Sequence, residues 1–174
     1  IFGLAAAAGL VLLAFSGWNG ARVTRILWPT YFAKIPLRSP KARIEALTRA
    51  IAIWPQSSFY QDRALIHADM AKDPYANNPS TLLEAAIADY QNAAERNPFD
   101  PSYVVNEAGM LSELTRDVEA EKQYARAIQL QGGMEPCFRC HFSLANHYLR
   151  KSIRNFDPDH PRHSLDALEL AADQ

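Results

Sequence analysis

Two kinds of hydrophobic pattern divide the chain. Residues 1–18, IFGLAAAAGLVLLAFSGW, carry no charge and little polarity, about the length that crosses the hydrocarbon core of a bilayer as one helix. Beyond residue 39 the apolar residues recur at helical spacing instead, interrupted by Pro, Asp and Asn. The sharpest instance is Ala86, Tyr90, Ala93 and Pro98, repeated 34 residues later as Ala120, Tyr124, Ala127 and Gly132. Small residues at these offsets let helices approach closely, the tyrosine fills the gap between them, and Pro or Gly stops the helix. Weaker echoes follow the same offsets: Arg43, Leu47, Ala50 and Pro55 toward the N-terminus, and Ser164, Leu168 and Ala171 toward the C-terminus.

This spacing resembles the second helix of the tetratricopeptide (TPR) repeat, a family of stacked helical hairpins with a period of about 34 residues. The resemblance implies an all-α chain: a TPR-like helical-hairpin solenoid preceded by a single transmembrane helix. The expected divisions are an anchor over 1–20, a membrane-proximal connector over 21–38 and the repeat domain over 39–174. Two loops, Lys72 to Ser80 and Asn155 to His163, lengthen the period. Ser39-Pro40, Asp100-Pro101, Asp117 and Ser164 read as helix starts, Thr81 with Glu84 as a capping box, and Trp54-Pro55 as a helix end. About seven amphipathic helices in pairs are expected after the connector.

Stacked hairpins leave a concave surface lined by alternate helices, where the family holds an extended peptide or partner helix. By position, Asp62, Asn106, Glu113, Asn146 and Arg150 are its candidate partner-binding residues, although a polar residue on a helix is more often merely solvated. Other protein subunits of a membrane complex, and membrane lipid, are the implied partners. The net charge of −1, with no basic run interleaved with aromatics, gives no nucleic-acid footprint.

Both cysteines fall in Cys137-Phe138-Arg139-Cys140-His141. The C-x-x-C-H pattern resembles the attachment site of c-type cytochromes. That resemblance implies a covalent haem c held by Cys137 and Cys140, with His141 as proximal iron ligand and His160 or His163 as the second; Met134, Met110 and His67 are alternatives. Two haem-free readings stand beside it. The thiols form a disulfide or join His141, His147, His160 or His163 around zinc, or they are free cysteines packed in a helix. In the TPR frame, Leu144, Ala145 and Tyr148 take first-helix positions, and His141 falls where the family has a large apolar residue.

Haem attachment takes place outside the cytoplasm, which puts the helical domain in the periplasm on a single-pass anchor. Arg22, Arg25, Lys34, Arg38, Lys41 and Arg43 beyond the anchor argue the opposite orientation. No nucleotide loop, metalloprotease motif or nucleophile triad is present in the sequence, so an electron carrier or scaffold is expected rather than an enzyme. The first residue is Ile rather than Met, and the layout also looks like the C-terminal tail of O-antigen ligase or polymerase-type membrane proteins. A cytochrome-maturation chaperone is a further reading, although owning C-x-x-C-H fits a client better.

Overall fold

The computed structural model describes residues 16–27, 39–131 and 137–155. All secondary structure among them is helical, so the chain is all-α in the described part. Helix α1 is described over 16–27, followed by α2 (Pro40–Ile53), α3 (Ser57–Ala71), α4 (Pro79–Arg96), α5 (Pro101–Glu113), α6 (Asp117–Gln131) and α7 (Phe138–Arg154). None of the described helices is long and apolar enough to cross a membrane. Residues 1–15 of the expected anchor, and the last expected helix from Ser164, lie outside the described residues.

Local sequence sets most of the helix boundaries. Ser39 is the N-cap of α2 with Pro40 in the first turn, where its missing N–H costs nothing. Asp100 caps α5 by accepting the backbone N–H of Ser102 at 2.9 Å. The expected capping box of Thr81 and Glu84 does not form: α4 begins earlier, at Pro79, with Asn78 as N-cap, and Glu84 pairs with Arg116 at 3.0 Å instead. The end of α5 is a Schellman cap, with Arg116 N–H bonded to Leu111 O at 2.9 Å and Thr115 N–H to Ser112 O at 3.1 Å. Thr115 holds the left-handed position at φ 59°, a place that favours glycine.

Each helix packs on the next, and α5 also touches α7. The most extensive pairings are α3 with α4 and α5 with α6. The residues of the repeated pattern lie in these seams: Tyr90 is 1% exposed, Tyr124 3%, and Ala86, Ala93, Ala120 and Ala127 are wholly enclosed. One apolar cluster runs from Tyr60 through α4, α5 and α6 to Cys140 and Leu144 of α7. A second joins Val23 and Leu27 of α1 to Ala46, Leu47, Ala50 and Ile66. Residues 21–27, expected in the connector, are thus helical and packed on α2. Between the clusters, Ala64, Ala68, Ala86 and Tyr90 seal α3 to α4.

Polar pairs cross the same seams. Arg63 of α3 donates Nε and Nη2 to the buried Asp89 carboxylate of α4, at 2.9 and 2.6 Å, and Nη1 to Thr48 of α2 at 2.8 Å. Tyr60 lies beneath both Arg63 and Arg96, whose guanidinium carbon is 4.6 Å from the ring centre. Glu107 of α5, also buried, accepts from Gln91 of α4 at 2.8 Å and Gln123 of α6 at 3.2 Å. Burial pushes the Glu107 carboxyl above its ordinary range.

Candidate functional site

Three alternate helices, α3, α5 and α7, present a polar groove of about 270 Å³. Its α5 wall carries Asn106, Met110 and Glu113; its α7 wall carries Ser143, Asn146 and Arg150; Lys72 at the end of α3 closes it. Four of the five residues expected on a concave surface therefore line one groove. The fifth, Asp62, is a half-buried residue of α3 outside this lining. Glu113 and Arg150 form an ion pair across the groove, and Arg139 donates to Asn106 Oδ1 at 3.0 Å. Both Asn106 and Asn146 are only partly covered. Two cations, Lys72 and Arg150, face one carboxylate there.

The floor of the groove was not legible as a site. Tyr124 and His147 form it, their ring centroids 5.7 Å apart. His147 is buried; its Nδ1 is 2.7 Å from Ser112 Oγ. Its Nε2 stands 3.5 Å from Glu121 Oε1, too far for an ordinary hydrogen bond, and that oxygen is already bound by Lys151 at 2.7 Å. Desolvation lowers the His147 pKa, with Asp117 and Glu121 acting against it. Tyr124 is pushed up to about 12 by burial. Behind the floor, Arg154 ties α7 to α6 and α5 through Asp117 at 2.5 Å and Ser112 O at 3.1 Å.

The cysteine motif opens α7. Cys137 is the N-cap, its Sγ accepting the Cys140 N–H at 3.1 Å, and the two sulfurs are joined as a disulfide. Cys140 is 0% exposed and belongs to the main apolar cluster, whereas Cys137 is half-buried. Of the expected first-helix positions in α7, Leu144 is buried and Tyr148 packs against the main cluster. Cys140, Leu144 and His147 face inward, His141 is only partly covered with its Nδ1 buried and unpartnered, and Phe138 and Arg139 already belong to the helix.

The residues as placed do not fit a haem. Both thioether sulfurs would have to be free to meet the porphyrin edge, yet here they are bonded to each other and one is enclosed by core side chains. The groove that lies nearest in sequence is not lined by Cys137, Cys140 or His141. Among the described residues no group of three or more His, Cys, Asp and Glu could hold a metal ion. Met110 lies in the groove, and His67 is a half-buried α3 residue whose pKa is lowered by burial. His160, His163 and Met134 lie outside the described residues.

Comparison with known proteins gives no match: no family model fits the sequence, and no curated protein or solved structure is significantly similar to the chain.

Proposed function

We propose that the chain is a membrane-anchored, extracytoplasmic TPR-like scaffold whose concave groove grips an extended segment of another protein subunit. In this reading the motif at Cys137 carries a disulfide rather than a haem, and the anchor over 1–20 holds the helical layers beside a membrane complex. The single observation that supports it most is the convergence of Asn106, Glu113, Asn146 and Arg150, from two different helices, on one groove. Side-chain amides there can each donate to and accept from a peptide backbone, and the flanking cations suit a segment with an acidic residue.

The test is site-specific photo-crosslinking of the full chain in its native membrane. A photoreactive side chain at Asn146 is expected to give one discrete adduct, lost when Asn106→Ala is added. The same probe at the exposed Ala125 of α6 is expected to give none. Equal adducts from both positions would remove the groove from the reading.

A further inference from the structure

We propose that Cys137 and Cys140 are a redox-active pair that oxidises a dithiol on a partner protein docked over the exposed rings of Phe138 and Phe142. The exchange depends on α7 alone and not on what the groove holds.

Four observations meet at this helix end. The sulfurs are unequally accessible, Cys137 half-buried and Cys140 enclosed, so an incoming thiolate can reach only the first. Cys137 Sγ is placed where the amides of the first turn point, already accepting the Cys140 N–H. A thiolate released there meets the positive end of the helix dipole, and the first turn holds no acidic residue. Such stabilisation of the reduced form makes a disulfide a stronger oxidant.

The third observation is the small loop. The bridged residues are three apart, so the bond removes little chain entropy from the unfolded state, and a purely structural staple gains least at that separation. The fourth is the surface beside it: Phe138 is 79% exposed and Phe142 59%, with nearly parallel rings 6.0 Å apart. The two aromatics, one turn apart, are the end nearest the half-buried Cys137 of an exposed apolar stripe that Leu149 and Ile153 continue along α7.

The reaction balances as thiol–disulfide exchange. A partner thiolate attacks Cys137 Sγ, the Cys137–Cys140 bond breaks, and Cys140 Sγ leaves and takes up a proton. The partner's second thiol loses its proton and attacks the partner sulfur of the mixed disulfide. The partner's disulfide forms and Cys137 departs as a thiolate. Two electrons pass from the partner dithiol to the pair, and the proton that the partner's second thiol gives up balances the one that Cys140 takes up.

Redox titration of the full chain in graded reduced and oxidised glutathione, trapped with a thiol-reactive mass tag, tests the pair itself. Half-reduction is expected at ratios that leave a structural disulfide oxidised; a pair still fully oxidised in a large excess of reduced glutathione would overturn the proposal. Cys140→Ala is expected to leave a Cys137 that alkylates at pH 6 at least about tenfold faster than an unperturbed cysteine, and an ordinary rate there would count equally against it. The wild-type titration stands if that variant misfolds. For the aromatic pair, Phe138→Ser with Phe142→Ser is expected to slow oxidation of a reduced thioredoxin-type protein several-fold while leaving the rate with dithiothreitol unchanged. Unchanged rates with both reductants would refute the docking surface.

Discussion

Replacing Asp89 by alanine removes the carboxylate that receives both Arg63 bonds, and leaves a guanidinium whose side chain is only 19% exposed. Breaking a fully buried pair from one side costs roughly 3–5 kcal/mol because the remaining charge stays desolvated. Arg63 keeps its bond to Thr48 and some contact with water, so the lower end applies, about 3 kcal/mol. For a chain of this length that corresponds to a melting temperature lower by roughly 6–12 °C. Arg63→Met, which strands the more deeply buried Asp89, is expected to cost at least as much. The double variant Arg63→Met with Asp89→Ala removes both charges, so it is expected to cost clearly less than the two singles summed. Urea unfolding of the four proteins, with equal m values, measures the coupling. A loss under about 1 kcal/mol for Asp89→Ala, or a double variant as costly as the two singles summed, would show that the pair does not hold α3 to α4.

Three further outcomes follow from other positions. Thr115→Gly relieves a β-branched residue of left-handed backbone and is expected to stabilise by about 1 kcal/mol in the same unfolding assay, a gain that Thr115→Ala should not match. Glu107→Gln keeps an acceptor for Gln91 and Gln123 without the buried charge. Because the folded carboxyl titrates above its ordinary 4.5, its ionisation destabilises the fold as pH rises past that value. The variant is therefore expected to melt higher than wild type at pH 7 and equally at pH 4, and a gap that persists at pH 4 would contradict the assignment. An absorbance scan of the reduced full chain is expected to lack the alpha band that c-type haems show near roughly 550 nm; its presence would replace the disulfide reading.

The repeated Ala-Tyr-Ala spacing was legible because close helix contact constrains residue size, and every one of those six side chains is enclosed. The second apolar pattern was incomplete, since Leu144 and Tyr148 meet the main cluster and buried Cys140 and His147 lie beside them. In α7, Leu144-Ala145-Tyr148 and Cys140-Leu144-His147 overlap on one face, and packing on α5 and α6 covers members of both. Histidine is buried only at intermediate frequency, so His147 did not stand out as an interior position. Four groove residues were found from their helix positions, whereas the floor of Tyr124 and His147 was missed because a buried histidine looks like any other until Ser112 is placed beside it, 35 positions away in the chain. Glu84 illustrates the reverse error. Three residues after Thr81, it satisfied a local capping rule, yet Pro79 could begin the helix two residues before Thr81 and free Glu84 for Arg116.

The inward polar residues explain why the repeats look irregular. Arg63, Glu107 and Ser143 each stand one position before an inward-facing residue of an alternate helix: Ala64, Ala108 and Leu144. Apolar side chains at such places would let any hairpin stack on any other. Here Arg63 is held by the carboxylate of Asp89 and the hydroxyl of Thr48, and Glu107 accepts from amides of both neighbouring helices, Gln91 and Gln123. Shifting α5 by one turn would separate Glu107 from both donors and leave a buried carboxyl unpaired, a cost of several kcal/mol by desolvation alone. Apolar contact between the alanines would change far less. The register of the helical layers, and with it the alignment of Asn106 opposite Asn146 across the groove, is thus fixed by residues that add little net stability.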